Sequence, residues 1–456
     1  MTVCAISTPV AEGGISVIRI SGEASLSIAE KIFKPLTCDN VQKMQGYTCA
    51  YGRITDPKTG HTVDDGVLTV FRAPHSYTGE DVCEISCHGG VYVTKKVLRL
   101  CLENGASLAD KGEFTKRAFL NGKLSLTQAE AVMDTISAHG EFALASANLT
   151  RSGLLFRRIA AVRDTLVGEL ASLAAWVDYP DDDIPAVTDE SLNSSLAAAS
   201  SDLERLLSDH DSGMVLKRGI DTAIVGRPNV GKSTLMNMLL GYERSIVTDI
   251  AGTTRDVIEE SAVIGDYTLL LSDTAGIRTA SDKVEAIGVE LAKKRIERAV
   301  LILAVFDQSE RLSAEDEELL QMLKSSGKRV IIILNKADLD ENLLSEKAFD
   351  GFEHLISVSA KSEDCRDKLV QELRSLFSVG TFDPDSTIFA NERQINCARK
   401  AYEHILAARQ ALSSGETLDA VTVLIGAAAD ELLDLTGEKA TEAVVDEVFS
   451  RFCVGK

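Results

Sequence analysis

The sequence predicts a multidomain chain: an α+β N-terminal domain, an all-α domain, and an α/β P-loop domain inserted into the helical one. Three observations carry this expectation. At 456 residues the chain exceeds what one hydrophobic core normally serves. The apolar period changes along it, from mixed to helical, then to alternating strand and helix, then back to helical. Five short polar segments, each placed where a strand-to-loop switch is expected, stand in order between residues 224 and 361.

Residues 1–118 are the mixed section. The β-type runs Ile15–Ile20, Gly66–Phe71 and Val82–Cys87 alternate with helix-like stretches over 24–33 and 91–104. Residues 119–216 turn helical and Ala/Leu-rich, with Leu126, Ala129, Val132, Met133 and Ile136 on one stripe and Ile159, Val162, Leu166, Leu170 and Leu173 on another. The run Asp178-Tyr179-Pro180-Asp181-Asp182-Asp183-Ile184-Pro185 interrupts this pattern, and its prolines and charges predict a solvated loop. Residues 217–379 alternate strands and helices. Residues 380–456 return to the helical period, with Gly415 and Gly437 as expected breaks. The simplest arrangement inserts 217–379 into one helical domain built from both flanks, because inserted domains commonly have adjacent termini.

The chemistry lies in the inserted section. Gly226-Arg227-Pro228-Asn229-Val230-Gly231-Lys232-Ser233 follows the apolar run Thr222–Val225 and precedes a helix-like stretch from Thr234 to Leu240. Strand, Gly-rich loop and helix make a phosphate cradle of backbone N–H groups, with partial positive charge at the helix start. Lys232 would reach the β/γ-phosphates and the Ser233 hydroxyl would ligate Mg²⁺. Asp273-Thr274-Ala275-Gly276 follows Leu269–Leu271; its carboxylate suits the surroundings of Mg²⁺ and its glycine N–H can sense a γ-phosphate. Asn335-Lys336-Ala337-Asp338 follows Val330–Leu334, and the Asp338 carboxylate can accept the two N–H donors of guanine, a pair adenine lacks. Ser359-Ala360-Lys361 can offer backbone N–H to the guanine oxygen. Gly252-Thr253-Thr254-Arg255-Asp256 sits where a switch loop with a Mg²⁺-ligating threonine belongs. The nucleotide is therefore read as GTP.

Where many small GTPases carry a water-orienting glutamine after Asp-x-x-Gly, this chain has Ile277, which cannot hydrogen-bond water. Asp282 and Glu285, on the following segment, are the carboxylate candidates. Charge developing on the γ-phosphate also needs a cation. Arg255 could serve, or a metal beside the Asn229 side-chain oxygen with loop carbonyls between Ser245 and Thr254.

Bulk properties narrow the function classes. The net charge of −21 argues against a blanket electrostatic grip on nucleic acid, although residues 1–118 carry equal numbers of acidic and basic groups. Nine scattered cysteines show neither a CxxC pair nor a zinc spacing, which reads as reduced thiols in a cytoplasmic protein. No basic leader precedes the first strand, and no apolar run is long enough for a bilayer, so no membrane partner is expected.

Further strings extend the pattern over the whole chain: Ile18-Arg19-Ile20-Ser21-Gly22, Ser76-Tyr77-Thr78-Gly79-Glu80-Asp81, His88-Gly89-Gly90, Gly112-Glu113-Phe114-Thr115-Lys116-Arg117 through Leu124, and Phe452-Cys453-Val454-Gly455-Lys456. With the nucleotide motifs, these strings resemble the MnmE (TrmE) family of tRNA-modification GTPases. The resemblance implies a homodimer that works with the FAD-dependent partner MnmG in a heterotetramer-type complex. Together they would install an aminomethyl-type group, such as carboxymethylaminomethyl, on carbon 5 of wobble uridine 34 in certain tRNAs. The tRNA would be held mainly through the partner. A 5-formyl- or methylene-tetrahydrofolate would supply the one-carbon unit.

By motif position the resemblance assigns folate contacts to Arg19, Glu84, Lys123 and Lys456. A carboxylate such as Glu84 can accept the adjacent N–H donors of a pterin, and an anionic folate tail suits Arg and Lys. In the G domain the resemblance implies K⁺ held by the Asn229 side chain and the backbones of Thr248, Ile250 and Thr253, with Mg²⁺ on Ser233 and Thr254. It selects Glu285 over Asp282 as the water-orienting group, implies K⁺ where an arginine finger otherwise acts, and links Cys453 to the modification chemistry; Glu285, Cys453 and Arg255 are the catalytic candidates. The full nucleotide set is Asn229, Val230, Gly231, Lys232, Ser233 and Thr234; Thr248, Asp249, Ile250, Ala251, Gly252, Thr253 and Thr254; Asp273, Thr274, Ala275 and Gly276; and Asn335, Lys336, Asp338, Ser359, Ala360 and Lys361. Two positions depart from the family pattern. The early loop Pro9-Val10-Ala11-Glu12-Gly13-Gly14 has one glycine fewer, and Lys111 stands where proline is common. Rival readings are a ribosome-assembly GTPase of the Era or EngA type, a folate enzyme with a regulatory GTPase, and a dynamin-class GTPase. The chain has no second P-loop and no Gly-x-x-Gly basic module for the first, and no basic amphipathic helix for the last.

Overall fold

The computed structural model describes residues 1–36, 39–138, 140–178, 188–241, 260–265, 267–271, 296–297, 299–339, 343–344, 346–362, 364–377, 389 and 391–456. The expectations for Arg255, Glu285, residues 248–254, residues 273–276 and the acidic run at 179–185 lie outside the described residues. The chain divides into two compact units: residues 1–133, 150–203 and 390–456 form one, and residues 134–149 and 204–389 form the other.

The first unit opens with a seven-stranded sheet: β1 Val3–Ile6, β2 Ile15–Ser21, β3 Phe33–Pro35, β4 Thr48–Thr55, β5 Thr62–Phe71, β6 Val82–His88 and β7 Ser107–Leu108, in the order β3-β4-β5-β6-β2-β1-β7. All neighbours are antiparallel except β1 and β7. Alternation places Ile18, Ile20, Leu68, Val70, Cys83 and Ile85 in a core that also takes Val97 and Leu100 of the helix Val91–Glu103. The intervening residues therefore point to the opposite face, and the β2–β6 register sets Arg19 directly across from Glu84.

The helical part of this unit draws on distant stretches of sequence. Helices Glu392–Ser413 and Leu418–Thr436 form a hairpin whose turn carries Gly415 in the left-handed region (φ 72°), and Gly437 (φ 87°) ends the second helix. The helix Leu154–Asp178 packs on Leu418–Thr436. Both glycines act as the breaks the sequence predicted. A buried polar knot joins the flanks: Glu130, on helix Leu126–Ile136, accepts two bonds from the Arg393 guanidinium (3.0 and 2.9 Å) and one from the Gln394 amide. Arg393 also donates to the carbonyls of Asp434 and Leu435 in the last turn of helix Leu418–Thr436, the first of which also accepts from the Gly437 N–H.

The second unit is a six-stranded sheet: β8 Ile220–Val225, β9 Glu260–Ile264, β10 Tyr267–Leu271, β11 Leu301–Asp307, β12 Arg329–Asn335 and β13 Leu355–Ser357, in the order β13-β12-β11-β8-β10-β9. Only the β9–β10 pair is antiparallel. β11 is buried along its whole length, as a central parallel strand covered on both faces must be. Helices Lys232–Gly241 and Asp364–Phe377 bury one face of the sheet and Ala314–Ser326 the other. In such a sheet ligands gather beyond the carboxyl ends of the strands. Those ends carry Gly226 after β8, Lys336 after β12 and Ser359 just beyond β13.

Replacing Glu130 by alanine leaves the Arg393 charge without its carboxylate in a largely buried setting. The expected loss is about 3–5 kcal/mol of stability in the first unit. Denaturant unfolding followed by helical circular dichroism checks this, and a loss below about 1 kcal/mol would place the knot among exposed, weakly contributing pairs.

Candidate functional site: a nucleotide cradle and a second polar site

The phosphate loop is built by two glycines that no other residue can replace in place. Gly226 has φ 146°, and a Cβ there would lie 2.3 Å from the Val305 carbonyl oxygen of the adjacent strand β11. Gly231 has φ 101°, and its Cβ would meet the Asn335 side-chain nitrogen at 2.0 Å. Between them Asn229 holds φ 63°, a conformation costly for a side-chain residue and typical of strained functional loops. Lys232 opens the following helix, and its ammonium donates to the carbonyls of Gly226 (2.7 Å) and Arg227 (2.6 Å). It therefore lies across the loop where phosphate oxygens are expected. Ser233 and Thr234 are exposed in the first helical turn and Asn229 is exposed at the loop tip. An exposed hydroxyl at a helix start beside the loop fits a hard, oxygen-seeking Mg²⁺, and the Asn229 amide oxygen fits a monovalent cation.

Asn335 ties this loop to the base-recognition segments. Its amide is buried; the nitrogen donates to the Val230 carbonyl (2.8 Å) and the oxygen accepts from the Ala360 N–H (2.9 Å). The Ala360 N–H is thus engaged by Asn335, while of the expected base-segment residues the Asp338 carboxylate and Lys361 are exposed. Ser359 hydrogen-bonds Asp338 and, with Lys361 and Lys336 nearby, holds its carboxyl below the usual range. Lys336 has φ 68°, and its ammonium pairs with Asp307 at the end of β11. Burial pushes the Asp307 carboxyl up, but Lys336 and Ser309 outweigh it and keep the acid below its ordinary value. Arg227 is anchored away from the loop on Glu310 and on Asp316 (3.4 Å), the acid of a capping box on helix Ala314–Ser326.

The second site is on the half-buried face of the N-terminal sheet, opposite its main core and beside a small cluster of Val3, Ala5, Ala109 and Phe114. Arg19 Nε donates to Glu84 (2.8 Å), and the guanidinium lies between the rings of Tyr77 (5.6 Å) and Phe114 (5.4 Å). The Tyr77 hydroxyl is fixed to Thr115 (2.9 Å). Lys456 feels this pair: burial, then the Arg19 charge, push its ammonium down, while Glu84 and Cys453 pull it back up. The Phe114 N–H donates to the Lys456 carbonyl (3.1 Å) while its ring lies against Arg19, and the Gly112 N–H donates to the Cys453 carbonyl (3.2 Å), which brings the half-buried Cys453 and Lys456 segment beside the Arg19–Glu84 pair. Lys123 is exposed and donates to the Pro74 carbonyl (3.1 Å), and no described contact brings it to the other three. Charged groups that accept and donate beside two aromatic rings fit a planar, hydrogen-bonding, anionic ligand of the folate class.

Sequence reading found the motif residues but not Ser359 as a partner of Asp338, Asp307 as the partner of Lys336, or Tyr77 and Phe114 around Arg19. Asp307 ends the apolar run of β11, and a lone carboxylate at the end of a central strand was the available signal.

Fold and cradle together define a P-loop protein built to hold a guanine nucleotide. Comparison with known proteins takes this further. Residues 2–123 match the family model described as GTP-binding protein TrmE N-terminus, and residues 126–453 match that of the MnmE helical domain. The chain is 42% identical over 458 residues to the tRNA modification GTPase MnmE of Lactobacillus acidophilus, spanning 100% of this chain and 98% of that protein. It is 40% identical over 460 residues to the same-named protein of Thermoanaerobacter pseudethanolicus, spanning 100% and 99%. Among solved structures, Aquifex aeolicus Era bound to GDP and AlF4⁻ is similar at 32% identity over 41% of this chain and 67% of that one, with a TM-score of 0.27. The chain belongs to the MnmE family of tRNA modification GTPases.

Asp338→Asn places an N–H donor where guanine presents its own and where xanthine presents an oxygen. The expected result is a reversal of preference from GTP to XTP of about 100-fold or more, read as nucleotide affinity by fluorescence titration. Undiminished GTP binding by the variant would remove Asp338 from base recognition.

Proposed function

We propose that this GTP hydrolase acts with an FAD-dependent partner of the MnmG type. It would use a tetrahydrofolate one-carbon unit to build an aminomethyl-type group on carbon 5 of wobble uridine 34 in tRNA. The observation that carries the reading is the joining of the phosphate loop and both base segments through the buried Asn335 amide, in a chain aligned end to end with tRNA modification GTPases. The Arg19–Glu84–Lys456 neighbourhood supports the folate part. Domain boundaries at 118, 216 and 379, a homodimer, and action in the cytoplasm belong to the same reading. No helix among the described residues is long and apolar enough to cross a membrane.

In hydrolysis Lys232 holds the β/γ-phosphates, Asp338 selects the base, and Glu285 orients the attacking water and takes its proton. Ser233 and Thr254 would hold Mg²⁺, and Asn229 with the backbones of Thr248, Ile250 and Thr253 would hold K⁺. Bound there, the two cations would supply positive charge against the charge that develops on the transferred phosphoryl group. The K⁺ would stand where an arginine finger otherwise acts, with Arg255 in the switch loop as the remaining catalytic cation candidate. At the second site Glu84 would accept the N–H donors of a pterin, Arg19 and Lys456 would hold the anionic parts, and Cys453 would be the candidate group for the modification chemistry, for which the folate would supply the one-carbon unit.

The test is GTP turnover by the purified protein in KCl against NaCl at equal ionic strength. The expected result is stimulation by K⁺ of roughly tenfold or more, lost in Asn229→Ala, since one charge-stabilising group in a dry site is worth that much. Equal rates in both salts would remove the K⁺ assignment and return Arg255 or an external activator to the lead.

A further inference from the structure

Lys456 and Arg19 come from opposite ends of the sequence, and the route that brings them together is built with unusual precision. Segment 453–456 follows helix Glu442–Ser450, whose Phe449 packs on Phe452 (ring centroids 5.0 Å) in a cluster with Leu126 and Ala129. From there the backbone lies against the N-terminal sheet unit at every residue. The Gly112 N–H donates to the Cys453 carbonyl (3.2 Å), Lys111 and Val454 form an isolated antiparallel bridge, the Ser7 hydroxyl donates to the Gly455 carbonyl (3.1 Å), and the Phe114 N–H donates to the Lys456 carbonyl (3.1 Å). Phe114 also provides a ring beside Arg19, so one residue fixes the backbone of Lys456 and supports the guanidinium it acts with.

Two glycines make the route passable. Gly455 has φ 97°, and a Cβ there would lie 2.3 Å from the Ile6 carbonyl oxygen and 3.0 Å from the Ser7 Cα. Both are backbone atoms, at the end of β1 and just beyond it, and cannot turn aside. Gly112 has φ 65°, and its Cβ would meet Phe452 at 2.9 Å.

The geometry points to a latch in which Gly455 is the positioning residue: it lets segment 453–456 lie against Ile6–Ser7 and Lys111–Phe114, and so completes the Arg19–Glu84 site with Lys456. This rests on the folate reading of that site. The site is then composite, its sheet part fixed by strand register and its Lys456 part present only while the latch is closed. An alanine at 455 must move the segment away from Ile6 and carry Lys456 with it, without touching any nucleotide-binding residue.

The experiment is calorimetric titration of 5-formyl-tetrahydrofolate into the full chain and its Gly455→Ala, Lys456→Ala, double, Glu84→Gln and Ser7→Ala variants, with amide hydrogen exchange on each. Gly455→Ala and Lys456→Ala should each weaken binding about tenfold, the value of one charge-assisted contact. The double variant should be no weaker than either, because both remove the same interaction. Exchange at Gly112 and Phe114 should accelerate in Gly455→Ala, and GTP turnover should stay at the wild-type rate. Should Gly455→Ala fail to fold, Ser7→Ala removes one latch bond and should show a smaller loss in the same direction. Wild-type folate affinity in Gly455→Ala beside weakened binding in Lys456→Ala would overturn the latch. Wild-type affinity in both Glu84→Gln and Lys456→Ala would instead overturn the folate reading. The latch would then stand or fall on exchange alone, with unchanged rates at Gly112 and Phe114 overturning it.

Discussion

The nucleotide site depends on one buried amide. Asn335 bonds the phosphate loop through Val230 and the last base segment through Ala360. Each partner is a backbone group that would otherwise be buried without a bond, at a cost of about 1–3 kcal/mol apiece. The amide also explains the glycine beside it, because only Gly231 leaves room for the Asn335 nitrogen. Three segments far apart in sequence are thereby held at fixed spacing, which is what recognising phosphate and base together requires.

Around that amide the protein keeps strain where it is useful. Asn229 and Lys336 both hold positive φ, each on a loop leaving a buried parallel strand. Lys336 is held by Asp307 on the neighbouring strand, and Asp338 by Ser359. The parallel register aligns Asp307 with Asn335, so the pairing follows from the sheet rather than from loop sequence. The second site uses a different device. Strand register sets Arg19 against Glu84, and a segment from the far end of the chain adds Lys456.

Much of this was legible in the sequence. The alternation of strand and helix at β2, β5, β6 and the parallel strands of the second unit followed from apolar period, and Gly415 and Gly437 broke the helices where expected, whereas β1, β3, β4, β7 and β9 were not read from the sequence. The phosphate loop and the Asn-Lys-x-Asp segment were legible because their polar spacing is dictated by the ligand and is local. The ties between them were not, since Asn335 to Val230, Lys336 to Asp307 and Arg393 to Glu130 join residues whose adjacency exists only in the folded sheet or bundle. The Lys123 ammonium donates to the Pro74 carbonyl, a pairing that motif position does not reveal. The docking of segment 453–456 was likewise hidden, because nothing in four residues says which strand they will meet.

The central claim is that occupancy and turnover at the Asn335-linked site drive a modification of tRNA. The most direct measurement uses Asp338→Asn protein, the proposed FAD-dependent partner, unmodified tRNA and the proposed one-carbon folate, with GTP or XTP supplied. Nucleoside mass spectrometry then reads the modified uridine. The account predicts product with XTP and little with GTP. Product at the wild-type level with GTP, or with no nucleotide at all, would contradict it.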